Sequence, residues 1–312
     1  MPALPASTIS TPLRSLIPKH FTTMHPSTLL PLISLLPLAT CLPFTVLTYN
    51  VAGLPTLLNP NGIPGDKTAN TRLIGSKLLQ LNASLVHMQE DFNYHAALYS
   101  TLAYPFRTPT TGGVPFGSGL NTVANYPWTE IQRVKWDRCD VNSGDCLTPK
   151  GFSFMRLQVP GGELDAYNLH ADAGSNAGDV AAREAGVRQM LAFMQRVSPG
   201  RAVVVAGDTN DRYTNAGESL SVLIEGAGLR DPWIDIVKGG ARPVKGSPAI
   251  ACGNPAVGSE CEIVDKVLYR SGNGVRLEAK NFEYASSRFL QDDGSVLSDH
   301  NPVLVSFDLT RV

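Results

Sequence analysis

The strongest constraint in this chain is a set of short apolar runs, each closed by polar residues. Phe44–Asn50, Ser84–Met88, Gly151–Val159, Leu164–Leu169, Arg201–Ala206, Glu262–Tyr269 and Pro302–Asp308 have the length and side-chain content of buried strands. Two other stretches have helical spacing. In Thr71–Leu81, the side chains of Leu73, Ile74, Leu78, Leu79 and Leu81 share a side; in Val180–Val197, those of Val180, Val187, Leu191 and Met194 do. Strands outnumber helices, and only part of the pattern alternates β with α. Two packed sheets with helices outside fit this better than one doubly wound sheet. No repeat, charge block or long linker divides residues 42–312, which are read as one α/β domain.

The first 41 residues read differently. They contain no Asp or Glu, and Leu29–Cys41 is an apolar run with a small-residue end. That is the pattern of a secretory signal peptide, set at residues 24–41, with the mature start near Leu42. Residues 1–23 are then an upstream extension or an over-long start. The run is too short to span a membrane, which takes about 20 apolar residues. An organelle transit peptide is the competing reading of this Ser/Thr-rich, acid-free stretch. The expected location is secreted and extracellular.

Composition narrows the class. A formal net charge of −1 and a hydrophobic content of 43 % exclude a disordered chain. They also lack the basic excess usual in a dedicated nucleic-acid binder. Removing Cys41 with the signal peptide leaves four cysteines. Their close spacing suggests the pairs Cys139–Cys146 and Cys252–Cys261, each stapling a loop. Zinc is disfavoured, because no C-x-x-C pair or suitably spaced His stands nearby. Asn82-Ala83-Ser84 is a glycosylation sequon, compatible with secretion.

The chemistry-bearing residues collect at strand ends. Thr48-Tyr49-Asn50, His87-Met88-Gln89-Glu90, Asn168-Leu169-His170 and Gly207-Asp208-Thr209-Asn210 each close a run. Asp265 lies within EIVDKVLY, and Ser298-Asp299-His300-Asn301-Pro302 precedes the last strand. Strand ends share a rim, so distant residues can converge there. Carboxylates at Glu90, Asp208 and Asp299 with amides at Asn50 and Asn210 make a hard-oxygen set suited to Mg²⁺, with Mn²⁺ or Ca²⁺ as alternatives. His170 and His300 add imidazoles able to take a proton from water or bond a phosphoryl oxygen. Asp265 is the candidate partner that orients His300. Singly, each has a plain structural reading: GDTN and SDHNP as turns, Glu90 as a solvated strand end, His170 as a satisfied core histidine. His87 and His95 are read as structural. It is the ordered conjunction that carries the chemistry.

TYNVAG, MQED, NLHADAG, GDTND, VDKVLY and SDHNP, in this order over about residues 44–308, resemble the endonuclease/exonuclease/phosphatase superfamily, the DNase I-like fold. The resemblance implies a four-layer α/β sandwich, with two packed mixed β-sheets flanked by helices, and divalent-metal hydrolysis of a phosphoester. It implies metal ligation by Asn50 and Glu90 with Asp299 as a further acid, and His170 at the phosphate. It also implies that Asp208 and Asn210 position water and phosphate, and that His300, held by Asp265, is the general base. Asp145–Phe152 and NLHADAG are similar to segments of secreted sphingomyelinase C-type enzymes. A lipid head-group phosphodiester is therefore favoured over nucleic acid, with transient membrane-surface contact and no stable protein partner implied. Two features depart from the pattern. Gly239–Cys261 lacks the aromatic residues of a membrane-inserting hairpin, and Ala52 stands where some nuclease members carry an acid. The alternatives are a secreted DNase I-like nuclease, for which Arg107, Arg133, Lys135 and Arg138 would supply a basic patch, and a catalytically silent binding protein on the same fold.

Overall fold

A computed structural model describes residues 41–58 and 61–312. The stretches read as upstream extension and signal peptide lie outside the described residues, except for Cys41, which opens the first strand. Strands β1 (Cys41–Asn50), β2 (Leu85–Gln89), β3 (Phe106–Arg107), β4 (Asn121–Ala124), β10 (Val275–Tyr284) and β11 (Val303–Arg311) form one sheet, ordered β10-β11-β1-β2-β4-β3. Strands β5 (Trp128–Lys135), β6 (Gly151–Val159), β7 (Gly162–His170), β8 (Ala202–Asp208) and β9 (Asp265–Arg270) form the second, in sequence order. Each sheet has one parallel pair, β1 with β2 and β7 with β8, among antiparallel neighbours.

Period-two alternation sorts the strand side chains between two cores. Along β1, Phe44 and Val46 join the apolar cluster that spans both sheets, while Leu47, Tyr49 and the following Val51 join a second cluster on the outer face. Across the inner face the Tyr269 ring meets Phe307 at 5.0 Å. On the outer face, Leu47, Tyr49, Val86 and Met88 pack against Ile74 and Leu78 of α1 (Lys67–Leu81) and Leu98 of α2 (His95–Thr101). Beyond the second sheet, Phe193 of α3 (Ala177–Val197) meets the rings of Phe152, Phe154 and Tyr167. Helix α4 (Leu220–Ala227) buries Leu220, Leu223 and Ile224 there too. The result is the expected four-layer α/β sandwich.

The helices start where side chains can satisfy their free N–H groups. Asp66 accepts from the Ala69 N–H at the start of α1, and Asn176 and Asp179 form a reciprocal capping box at the start of α3. The interface between the sheets also holds a polar seam. Gln89 donates to Asn168 Oδ1 (2.7 Å), and Asn168 donates to the carbonyls of Met88 (2.9 Å) and Asn121 (3.1 Å). Both expected disulfides are present, Cys139–Cys146 and Cys252–Cys261. No described helix is long and apolar enough to cross a membrane.

Candidate active site

The inner-face alternation that buries Phe44 and Val46 carries Asn50 to the carboxyl end of β1, beside Gln89 at the end of β2. In the other sheet, the register sets His170 against Asp208 and Asp208 against Asp265. The ends of the two parallel pairs therefore face each other. Asn50 joins them: its amide donates to Glu90 Oε1 and to Asp208 Oδ2, both at 3.1 Å.

Asp208 is the hub. Its Oδ1 accepts from the Asn210 N–H (2.9 Å), while its Oδ2 lies 3.4 Å from His170 Nε2 and 3.7 Å from His300 Nε2. His300 Nδ1 donates to Asp265 Oδ2 at 2.9 Å. The Ser298 hydroxyl donates to the Asn50 carbonyl (2.6 Å) and so ties the turn before β11 to the end of β1. Asp299, next in that turn, is exposed, and its charge acts on Glu90, Lys67 and His300.

Local backbone geometry is unusual here. Glu90 and Asn210 have φ of 54° and 48°, in the left-handed region that non-glycine residues rarely enter. Gly53 and Gly207 permit close approaches. A Cβ on Gly53 would fall 2.2 Å from the Glu90 carbonyl oxygen, and one on Gly207 would fall 2.1 Å from that of Leu169.

Burial and neighbouring charge set the protonation states. Burial, aided by the Lys150 charge, pushes the His170 pKa down to about 3 despite Asp208, so the ring is neutral. Burial would depress His300 too, but Asp265, Asp208 and Asp299 outweigh it and hold its pKa well above the ordinary value. For Asp208, burial is outweighed by the charges of His300 and Lys150, which keep it ionised. Burial raises Glu90, whose Oε2 has no hydrogen-bond partner.

The residues expected from sequence thus converge. Asn50, Glu90, Asp208, His170, Asp265 and His300 form one chain of contacts, Asn210 joins through its backbone, and Asp299 borders it. Two amides are used differently from a simple ligand set. Asn50 Oδ1 accepts from the Ala52 N–H (3.0 Å), leaving its amide hydrogens for the carboxylates. The Asn210 amide donates to the Ala171 carbonyl (3.1 Å). His87 and His95 lie apart, paired with Thr122 and Asp91. Arg107 and Arg133 donate to backbone carbonyls of Tyr99, Leu102, Pro109 and Leu120, which spends much of the basic patch on structure.

A cavity of about 260 Å³ opens on the site. Glu90, His170, Asp145, Thr148 and Lys150 line it, together with Leu54, Leu58, Phe92, Val114 and Leu147. Lys150 was not singled out from sequence. It pairs with Asp145, and its charge acts on Glu90, His170 and Asp208. Its only signal was its place in the Asp145–Phe152 stretch.

The chain is 37% identical over 273 residues to a protein named sphingomyelinase from Mycobacterium tuberculosis (strain ATCC 25618 / H37Rv), a match covering 85% of this chain and 52% of the relative. It therefore spans about half the length of the curated relatives it matches. Among solved structures it is similar to sphingomyelinase C from Streptomyces griseocarneus (TM-score 0.58, 21% identity, 85% of this chain and 99% of that one). It is also similar to D. rerio TDP2 complexed with single strand DNA product (TM-score 0.62, 16% identity, 85% and 98%). At those identities the likeness is one of fold. The family 2 pattern covers residues 66–240, more than half of the sequence, and with the convergent site it makes this chain a member of the Endonuclease/Exonuclease/phosphatase family.

Proposed function

We propose that this chain is a secreted, Mg²⁺-dependent phosphodiesterase that hydrolyses a lipid head-group diester, as a sphingomyelinase or phospholipase C does. The observation that carries this reading is the meeting of Asp208, two imidazoles and the Asn50–Glu90 pair, with Glu90 and His170 of this set lining a cavity. The lipid preference rests on the sphingomyelinase-named relatives and on the cavity mouth. Leu58 and Leu147 line the same cavity as Glu90 and His170 yet are 53% and 62% exposed. Two disulfides suit an oxidising, extracellular setting. Residues 42–312 would form the single catalytic domain.

The donor set fits a hard divalent cation. Glu90 keeps one buried carboxylate oxygen without a partner, and Asp299 offers a second carboxylate at the rim. Glu90 and Asp299 would hold Mg²⁺, with Mn²⁺ or Ca²⁺ as substitutes, while Asn50 fixes Glu90. When bound, the cation would neutralise charge developing on the phosphoryl oxygens.

The chain's own groups account for the proton. His300, oriented by Asp265, takes it from a water lying beside Asp208 and Asn210, and the water attacks phosphorus opposite the leaving oxygen. His170, neutral at physiological pH, donates an N–H to a non-bridging oxygen as charge builds. Lys150 adds a positive charge to the same wall.

The test is a substrate panel on purified protein, with and without chelator: sphingomyelin, inositol-phosphate lipids, DNA, RNA and phosphomonoesters. Phosphocholine or phosphoinositol release that chelator abolishes and Mg²⁺ restores is the expected result. Cleavage of DNA alone would replace this reading with the nuclease one. Activity retained by His300→Ala or Asp208→Ala would remove the mechanism.

A further inference from the structure

Beyond Lys150, away from the Asn50–Glu90 pair, three more carboxylates meet. Asp145 lies in a short 3₁₀ helix (Asn142–Leu147) within the Cys139–Cys146 loop, Asp172 lies in the loop after β7, and Asp179 is in the first turn of α3. Their exposures are 2%, 3% and 0%, and one oxygen from each lies within 4.8 Å of the others.

Each carboxylate accepts N–H hydrogen bonds through one oxygen, and Asp145 pairs with Lys150 through the other. The Asp140 N–H donates to Asp172 Oδ2 and the Ala173 N–H to Asp145 Oδ2, both at 2.9 Å. Asp179 Oδ2 accepts from the Asn176 N–H (2.9 Å) and the Asn142 amide (3.0 Å). The Oδ1 atoms of Asp172 and Asp179 are buried with no partner at all. Among the described residues, Lys150 is the cation paired to this cluster, and it pairs with Asp145 only. The nearby Arg183 does not help. Its guanidinium donates to the carbonyls of Asp172 (3.0 Å) and Gly174 (2.8 Å). Buried charges are ordinarily paired or coordinate a metal, and here two buried oxygens, Oδ1 of Asp172 and Oδ1 of Asp179, have neither.

We infer that Asp145, Asp172 and Asp179 form a second cation site, separate from Glu90 and Asp299, and that its ion is Ca²⁺. An all-oxygen, carboxylate-rich set selects a hard cation. Ca²⁺ accepts irregular coordination, whereas Mg²⁺ demands a near-ideal octahedron and retains several waters, which a fully buried cluster is poorly placed to supply. The ion would tie three segments together: the disulfide loop, the end of β7 and the start of α3. The 3₁₀ helix supplies Gly144, Asp145 and Leu147 to the wall of the catalytic cavity, so the site would hold that wall in place.

The experiment avoids activity as a readout. Equilibrium dialysis of Ca²⁺ on the Glu90→Gln variant, which lacks the proposed catalytic ligand, is expected to retain about one ion per chain. A hundredfold excess over the dissociation constant is expected to raise Tm by roughly 5 °C. The near-isosteric double variant Asp172→Asn/Asp179→Asn, built on Glu90→Gln, loses both effects. Tb³⁺, a luminescent stand-in for Ca²⁺, is expected to emit on excitation of Trp136, which lines a cavity with Asp172, and to lose that emission in the double variant. If Glu90→Gln retains no Ca²⁺, the proposal fails whether or not the double variant folds. An unchanged ion count in a folded double variant also overturns it. The carboxylates would then be sharing protons, and Asp172→Asn would raise Tm without calcium.

Discussion

The Nδ1 of His300 lies 2.9 Å from Oδ2 of Asp265, at opposite ends of a 35-residue separation that includes the whole of β9 and β10. The contact leaves Nε2 as the ring nitrogen turned toward Asp208, and Asp265 with Asp208 and Asp299 holds the imidazole pKa above its ordinary value despite burial; in the proposed mechanism this is the ring that would accept the proton from water. A base that must be neutral is inactive below its pKa. Asp265→Asn removes a negative neighbour, so the His300 pKa falls. The acid limb of kcat/KM is expected to move to lower pH, while the plateau drops by roughly 10²–10⁴-fold. A pH–rate profile checks both, and an unmoved limb would show that Asp265 does not act through His300.

Glu90→Gln is expected to separate activity from stability. The substitution removes the proposed cation ligand, and turnover falls by roughly 10²–10³-fold. It also removes a buried charge with an unpartnered oxygen. In chelator the variant is expected to melt a few degrees above the parent, and Mg²⁺ no longer raises its Tm. Thermal melts with EDTA and with Mg²⁺ measure this directly.

The exposed leucines at the cavity mouth give the lipid reading its own test. Leu58→Ser with Leu147→Ser is expected to lower the rate on sphingomyelin vesicles by roughly ten- to hundredfold, since full burial of a Leu contributes about 1.5–3 kcal/mol and only about half of each side chain is left to bury. Hydrolysis of a short, water-soluble phosphodiester is expected to stay within about twofold. Equal losses on both substrates would place the leucines in the packing of the cavity rather than at a lipid surface.

His87 makes stability depend on pH without touching the chemistry. Burial pushes its pKa down to about 3, whereas in the unfolded chain it is about 6.5. Between these values the unfolded chain binds the extra proton, so stability falls as pH drops from 6.5. The loss is up to about 1.4 kcal/mol per pH unit. His87→Gln is expected to flatten the decline in urea midpoint between pH 7 and pH 4.5. Parallel declines would assign the acid sensitivity elsewhere.

The interior strands were legible because burial on both faces leaves an uninterrupted apolar run, as in Ala202–Asp208, or a short run that passes into strict alternation, as in Val303–Arg311. The edges were not. Strand β5, WTEIQRVK, is largely exposed, and β10 alternates charged with buried residues, so neither shows that signal. Helix α4 is too short to establish a helical period, and α2 shorter still. The candidate site was readable where it follows a strand. Asn50, Glu90, His170 and Asp208 end or directly follow apolar runs, and a two-residue period then fixes their side. Lys150 and Asp179 belong to no such run. Their significance comes from neighbours brought in by the folded loops, which periodicity cannot show.

The Asn50 amide bonds at once a carboxylate that follows β2 and one that ends β8, and so joins the two sheets. That makes it a gauge as well as a fastener. A slip of one sheet against the other would lengthen one of these two bonds. Substitutions in the Gln89–Asn168 seam should therefore silence turnover while the protein still looks intact by circular dichroism.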